Sequence, residues 1–274
     1  MALSAGARIN TNIAAQNALN ALNAVSRDAG IHQLRLATGK RINSAGDDAS
    51  GYVISKKMEG RTLSLSAAVD NVGDAQSMYG VAEGGYQTIA DLLNQIKEKQ
   101  VRANNGAFGS DEKDAIAGEI NQLMSEIDDI NTQTKFNGQT LFGGAYSATF
   151  QVGESSSETL SASFTQNTGA TSLLGVAAGA VTSANIGSLT VDTALGTVNS
   201  EIGKIGAEMN RLTVKEQNLN TAITNTDAAK SRIQDADIAK EQIDAVKDQI
   251  LQQTATAQLA QANQAPQVYL TLFR

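Results

Sequence analysis

Apolar residues recur along the first part of the chain in alternating steps of three and four. Ala15, Ala18, Leu22, Val25, Ala29, His32 and Leu36 make one such series. This spacing keeps a single helical face apolar and matches a heptad seam. Gly39 offers a stop for that helix. Asp47 and Asp48 suit the N-terminus of a second helix, both as caps and by their charge. The second stretch carries Leu65, Val69 and Val72, then Ile89, Leu92, Leu93 and Ile96. The segment NNGAFG at 104–109 predicts a break. Ser110 can cap a third helix, with Asp111 and Glu112 in its first turn and Ile116, Ile120, Leu123, Ile127 and Ile130 along one face.

From about residue 135 to 192 the pattern changes to Gly, Ser and Thr. Asn137-Gly138 is a turn signal. ATFQVG and TLSASF alternate as strands do, whereas TGATSLLGVAAGAVTSANIG lacks a period and reads as loop. Helical spacing then returns. Leu195, Val198, Ile202, Ile205, Met209, Leu212, Glu216, Leu219 and Ile223 form the strongest periodic run in the chain, with one polar interruption. A further helix is predicted to carry Ile233, Ile243, Val246 and Ile250. The expected fold is mainly α: a long antiparallel helical bundle or coiled coil built from both chain ends, with a small β-hairpin region in the middle. The terminal helices are expected to pack together, because neither can bury its apolar seam alone. Each Leu or Ile buried there contributes roughly 1.5–3 kcal/mol.

Composition sharpens this picture. The chain has 274 residues, 41% of them hydrophobic but only 4% aromatic, so its core relies on aliphatic packing between helices. Its one proline, Pro266, leaves the preceding helices free to run long. The net charge of -7, with no basic cluster, argues against nucleic acid as a partner. Zero cysteines exclude disulfides, thiolate metal sites and a cysteine nucleophile. The opening MALSAGARIN lacks the pattern of a cleavable secretory signal, and no apolar run approaches the roughly 20 residues of a membrane span. No membrane insertion is expected.

The two ends share a property unusual for a soluble monomer. Arg8 is the only charged side chain in residues 1–26, and Arg274 is the only one in 249–274. Helices rich in Ala, Gln, Asn and Thr but lacking charge are poorly suited to water on every face. They suit burial among neighbouring protein chains, and alone they are only marginally stable. Assembly through both termini follows.

The stretch KRINSAGDDASG at 40–51 gathers Lys40, Arg41, Ser44, Asp47, Asp48 and Ser50. Such a cluster could be an active site or a turn between helices. The structural reading is favoured: the aspartates cap a helix, and Lys40 and Arg41 pair with carboxylates near the joint, in this subunit or the next. Acid–base catalysis also wants a tuned base, and the single histidine, His32, lies on a heptad seam. Asp128 and Asp129 point to different faces of a helix and read as solvated or interface charges. No catalytic residue, metal site or cofactor is expected. Gly51, Gly60, Gly73, Gly80, Gly84 and Gly85 mark either breaks in the second helix or close approaches to neighbouring helices or subunits.

Several long motifs resemble those of bacterial flagellins. They are INTNIAAQNALNAL near the start, LATGKRINSAGDDASGYVISKKM at 36–58, DDINTQTKFNGQTLF at 128–142 and NLNTAITNTDAAKSRIQDADIAKEQIDAVKDQILQQTATAQLAQANQ near the end. The resemblance covers about residues 4–142 and 189–274, in the family's order. It implies an inner-tube helical domain from residues 1–45 and 225–274. It implies a rod domain from 46–142 and 189–224, with a short β or loop region at 143–188 in place of large outer domains. The HExxH of flagellins with a metalloprotease insert is absent. The implied function is that of a structural subunit that polymerises into an extracellular flagellar filament for motility, not an enzyme. A hook–filament junction protein of the same superfamily is the alternative.

The resemblance assigns roles by position. The inner-tube assembly helices would use Ile9, Ile13, Leu19, Leu22, Val25, Ile243, Val246, Ile250, Leu251 and Leu259. Arg41, Asn43, Asp47 and Asp48 would form the joint between domains and touch other subunits. Implied partners are further copies of the chain, a cap protein, hook–filament junction proteins, an export chaperone on the C-terminal segment and the flagellar type III export apparatus, with export uncleaved. The helix that flagellin-sensing Toll-like receptors bind corresponds to GGYQTIADLLNQIKEKQV. There Gln95 and Lys99 replace the family's arginine and leucine, while Glu119 keeps an acidic position. The two departures imply weakened recognition.

Overall fold

In a computed structural model the structure describes residues 11–144, 146–164 and 167–271, with side chains described as far as Gln264. Two compact units divide the chain: residues 1–60 with 226–274, and residues 61–225. The dividing points fall inside two helices, α2 (Ala49–Ala103) and α5 (Val191–Gln234).

The first unit is built on α1 (Ile13–Thr38) and α6 (Ile238–Thr271), which pack along each other in antiparallel directions. Helix α1 starts where predicted chemistry allows: Asn12 Oδ1 accepts from the Ala15 amide at 3.0 Å. It ends at Gly39, whose left-handed φ of 69° lets its amide return to the Arg35 carbonyl. Helix α6 continues through Pro266. Ile233, expected on the last helix, instead lies near the end of α5.

The second unit holds the large core. Helix α2 supplies Leu65, Ala68, Val72, Ala75, Met78, Tyr79, Ala82, Tyr86, Ile89, Leu93 and Ile96, all buried. Apart from the adjacent Met78 and Tyr79 they are spaced by three and four, as on one helical face. Helix α3 (Ser110–Gln133) buries Ala117, Ile120, Met124 and Ile127, and α5 buries Val198, Ile205, Leu212 and Leu219. Leu195, Ile202, Met209 and Ile223 pack against the same core, so the strong periodic run serves an intramolecular bundle. Glu216, its polar interruption, accepts a 3.2 Å hydrogen bond from Gln76. Ser110 does not cap α3. The cap position is Gly109, without a side-chain bond, and Ser110 is the first helical residue.

Two β-hairpins complete the unit. The two-residue strands β1 (Lys135–Phe136) and β2 (Gln139–Thr140) flank Asn137 and Gly138, both at positive φ. That is the turn Asn-Gly favours. Strands β3 (Tyr146–Gln151) and β4 (Thr159–Phe164) pair antiparallel from Tyr146↔Phe164 to Gln151↔Thr159. Strand β4 buries Leu160, Ala162 and Phe164 on its alternate positions, the period-two pattern of a half-covered sheet. Phe164 meets Tyr79 edge-on, ring centres 5.6 Å apart.

The segment TGATSLLGVAAGAVTSANIG at 168–187, expected as loop, belongs to an ordered strap at 167–190. It contains a short helix α4 (Ala170–Leu174) and a 3-10 turn at Ile186–Ser188. Leu173, Leu174, Val181, Ile186 and Leu189 are buried beneath it. Its backbone is tied down by polar side chains one heptad apart on α3. Asp114 accepts from the Ser183 amide. Asn121 Oδ1 accepts from the amides of Gly179 and Val181, and its Nδ2 donates to the Val181 carbonyl. Asp128, expected to be a solvated or interface charge, accepts from the Ala170 amide at the start of α4. From α2, Gln100 donates to the carbonyls of Ile186 and Leu189. Irregular backbone can lie against a core only with such partners.

Helix α2 is unbroken across all six of its predicted glycine interruptions. Gly51 and Gly85 mark close approaches: a Cβ would lie 2.6 Å from Ile42 Cδ1 at the first and 2.5 Å from Phe142 Cε2 at the second. Gly60, Gly73, Gly80 and Gly84 have open space instead.

Candidate functional site

The candidate site is the pair of terminal helices and the connections beneath them, all within the first unit. On α1 the seam is the predicted one: Ala15, Ala18, Leu22, Val25, His32 and Leu36 are half-buried and Ala29 is buried. On α6 the seam differs from prediction. Glu241, Ala245 and Asp248 are buried, and Gln252, Ala255, Leu259 and Ala262 are half-buried. These seven residues keep the alternation of four and three, yet all but Leu259 are small or polar rather than large and apolar. Ile243, Val246 and Ile250, the periodic aliphatics named above for the last helix and its assembly, face away from α1, with Ile243 and Ile250 69% and 59% exposed. A search for large aliphatics misses the true stripe; counting alanines and charges at heptad spacing finds it.

Buried charge on this seam comes in one cluster. His32 Nδ1 donates to Glu241 Oε2 at 2.5 Å, and Arg35 Nη1 lies 3.4 Å from Glu241 Oε1. His32 Nε2 is 3.7 Å from Asp248 Oδ2. That Asp248 oxygen is buried without a hydrogen-bond partner. Glu241 and Asp248 are only 7% and 8% exposed. Farther along, Gln252 Nε2 donates to Ser26 Oγ at 3.0 Å and Asn12 Nδ2 to the Ala262 carbonyl at 2.7 Å. His32 is thus a structural residue of the seam.

The remaining predicted assembly residues divide in two. Leu22, Val25 and Leu259 lie half-buried on the seam between the helices. Ile13, Leu19 and Leu251 are exposed with Ile243, Val246 and Ile250, and Ile31, Leu34 and Ile238 join them. Ile9 lies outside the described residues.

The joint beneath the helices is built from two connections laid side by side. The Arg41 and Ile42 amides both donate to the Gln234 carbonyl, and the Ala236 amide donates to the Gly39 carbonyl. Ile42 is buried against Gly51. Among the described residues of this chain Arg41 meets a carbonyl: its Nη2 donates to that of Ile233 at 2.8 Å. Asn43 donates from Nδ2 to the Lys40 carbonyl. The two aspartates have separate jobs. Asp48 caps α2, accepting from the Gly51 amide at 2.9 Å. Asp47 does not cap it. Its Oδ2 accepts from the Ser44 amide, the Asn43 amide and the Ser44 hydroxyl, closing the turn ahead of the helix. Those bonds, the Ser44 amide foremost, hold its carboxyl below the ordinary aspartate value. The carboxylates are committed to backbone amides, which is the work of a turn.

In the second unit, Gln95 is exposed on α2, and Lys99 forms an ion pair with Glu119 of α3. Lys99 heads the causes holding the Glu119 carboxyl below its usual value. Among the described residues, no group of three or more His, Cys, Asp or Glu is placed to hold a metal, and no helix is long and apolar enough to cross a membrane.

Comparison with known proteins places the chain. Residues 9–147 match the bacterial flagellin N-terminal helical region, and residues 189–273 match the bacterial flagellin C-terminal helical region. The chain is 36% identical to a flagellin of Bacillus subtilis strain 168, over 97% of this chain and 100% of that one. It is 34% identical to the flagellar filament 33 kDa core protein of Treponema phagedenis, over 97% and 99%. A Bacillus cereus flagellin crystal structure overlaps 59% of this chain and 94% of its own, with a TM-score of 0.47 and 24% identity. Matched at both helical regions and along nearly its whole length by relatives of full size, the chain belongs to the bacterial flagellin family.

Proposed function

We infer that this flagellin is the repeating structural subunit of a flagellar filament and that its terminal helices are the element that polymerises. The observation that carries the reading is the outward apolar face of α1 and α6, on helices whose ends hold almost no charge. A second copy of the chain can bury Ile13, Ile31, Leu34, Ile243 and Ile250, each contributing roughly 1.5–3 kcal/mol on full burial. Polymerisation then orders and covers helices that are marginal alone. The packed subunits transmit torque in an extracellular filament, and no reaction is catalysed. Flagellin membership further supports export without a cleaved signal, a chaperone on the C-terminal segment, a cap protein at the growing end and junction proteins at the base.

Seeded assembly tests the reading. Sheared filament fragments are added to the full-length protein and to a version lacking 1–26 and 249–274, and products are read by sedimentation and electron microscopy. Extension by the full-length protein alone is expected. A full-length protein that stays soluble under every seeding and salting condition refutes it.

Flagellin-sensing Toll-like receptor recognition is proposed to be weak. Gln95 supplies no cation, and Lys99 is engaged with Glu119. A full-strength response to endotoxin-free protein in a receptor reporter line would contradict this.

A further inference from the structure

Helix α6 carries two stripes that compete for α1. One is Glu241, Ala245 and Asp248, continued by Gln252, Ala255, Leu259 and Ala262. The other is Ile243, Val246 and Ile250. At about 100° per residue the second stripe lies roughly 170° round the helix from the first. Hydrophobic burial alone favours turning the isoleucines and valine onto α1. The structure does the opposite. It buries two carboxylates and leaves Ile243 69% exposed. Burying carboxylates is unfavourable unless a cation or hydrogen-bond donors meet them. Here the partners come from α1: Arg35 and His32 on Glu241, and His32 again toward Asp248. Elsewhere the seam is only half-buried: Leu22, Val25 and Leu36 on α1 and Leu259 on α6 are its large aliphatics, and its other positions are alanine or polar.

We propose that His32 and Arg35 select which face of α6 packs on α1, and thereby hold Ile243, Val246 and Ile250 outward for a second copy of the chain. The mechanism works by exclusion. With α6 rolled over, His32 and Arg35 would be buried against aliphatic side chains and would lose both carboxylates. The Arg35 guanidinium and the His32 ring N–H, left without partners, reject that face more strongly than the aliphatics attract it. The backbone bonds of the joint fix where α1 ends and α6 begins, and this cluster fixes the rotation of α6 about its axis. The outward role of the stripe rests on the filament reading; the choice of face does not.

The chain's lack of cysteine makes a direct test available. Two reporter pairs are built in the full-length chain. Ser26→Cys with Gln252→Cys reports the native face, because those side chains touch at 3.0 Å. Ser26→Cys with Thr254→Cys reports the rolled face, about 200° round α6 from residue 252. Oxidation rates are read on the soluble protein. With His32 and Arg35 present, the native pair is expected to link at least about tenfold faster than the rolled pair. In His32→Leu/Arg35→Leu the ratio is expected to invert. In His32→Lys, which puts a hydrogen-bonding cation at that place, the native preference is expected to survive. An unchanged ratio in the double leucine variant, loss of both links in it, or inversion in His32→Lys overturns the proposal. Seeded extension scored on the unsubstituted chain judges the filament reading separately, since the cross-linking ratios do not depend on polymerisation.

Discussion

Gly84 and Gly85 are neighbours on α2, and replacing each with alanine should change stability in opposite directions. Both sit in a helix interior, where alanine is better than glycine by about 1 kcal/mol. A Cβ at Gly84 meets nothing within 4 Å. Gly84→Ala should therefore stabilise the second unit by about 1 kcal/mol, the full propensity gain. A Cβ at Gly85 would lie 2.5 Å from Phe142 Cε2, 2.8 Å from Phe142 Cζ and 3.0 Å from Thr134 Oγ1. Phe142 cannot simply retreat. It is 2% exposed and its ring packs on that of Tyr86 at 4.5 Å between centres. Forcing a methyl into a filled core costs typically about 1–3 kcal/mol. Gly85→Ala should thus be destabilising by about 1 kcal/mol at the middle of that range, after the same propensity gain is subtracted. The propensity term is common to both variants, so their difference, about 2 kcal/mol, isolates the contact with Phe142. Thermal unfolding of the soluble protein measures it, at about 2–4 °C per kcal/mol for a domain of 150–250 residues. The two melting temperatures should stand about 4–8 °C apart, with Gly84→Ala the higher. Equal shifts, or a stabilised Gly85→Ala, would refute the reasoning that Gly85 exists to admit the phenyl ring.

The strap should loosen without general unfolding in Asn121→Ala, which removes all three bonds from that side chain to Gly179 and Val181. The expected loss is about 1–3 kcal/mol, read as faster amide exchange at Gly179 and Val181, with α2 core amides unchanged. Uniform acceleration across the second unit would contradict a local fastening. The turn at 43–47 should be acid-labile. Asp47 has a folded value held below its ordinary 3.8, so its bonds contribute fully above that value and are lost as pH falls through the lowered one. Protection of the Asn43 and Ser44 amides, taken relative to their intrinsic exchange rates, should fall in that acid window and hold above it, and Asp47→Asn should show the reduced protection already at neutral pH. Protection at those two amides that ignores both changes would remove Asp47 as their acceptor.

Much of this protein is written in its local pattern. The α1 seam, the run Leu195–Ile223 on α5, the Asn137-Gly138 turn and the alternating strands β3 and β4 follow from side-chain period and turn chemistry, which act over a few residues. The charge-poor ends, too, are a property of composition alone. Three features required the folded chain. The strap at 167–190 has no period because its order comes from Asp114, Asn121, Asp128 and Gln100, tens of residues earlier in sequence. The glycines of α2 are silent in sequence about their reason: Gly85 answers to Phe142 and Gly51 to Ile42, while Gly84 answers to no neighbour. The face that α6 turns to α1 runs against hydrophobicity, because His32 and Arg35 on a distant helix meet Glu241 and Asp248. Periodicity determines that a helix has faces. Which face is buried depends on the partner's charges, and only the tertiary structure brings those charges within reach.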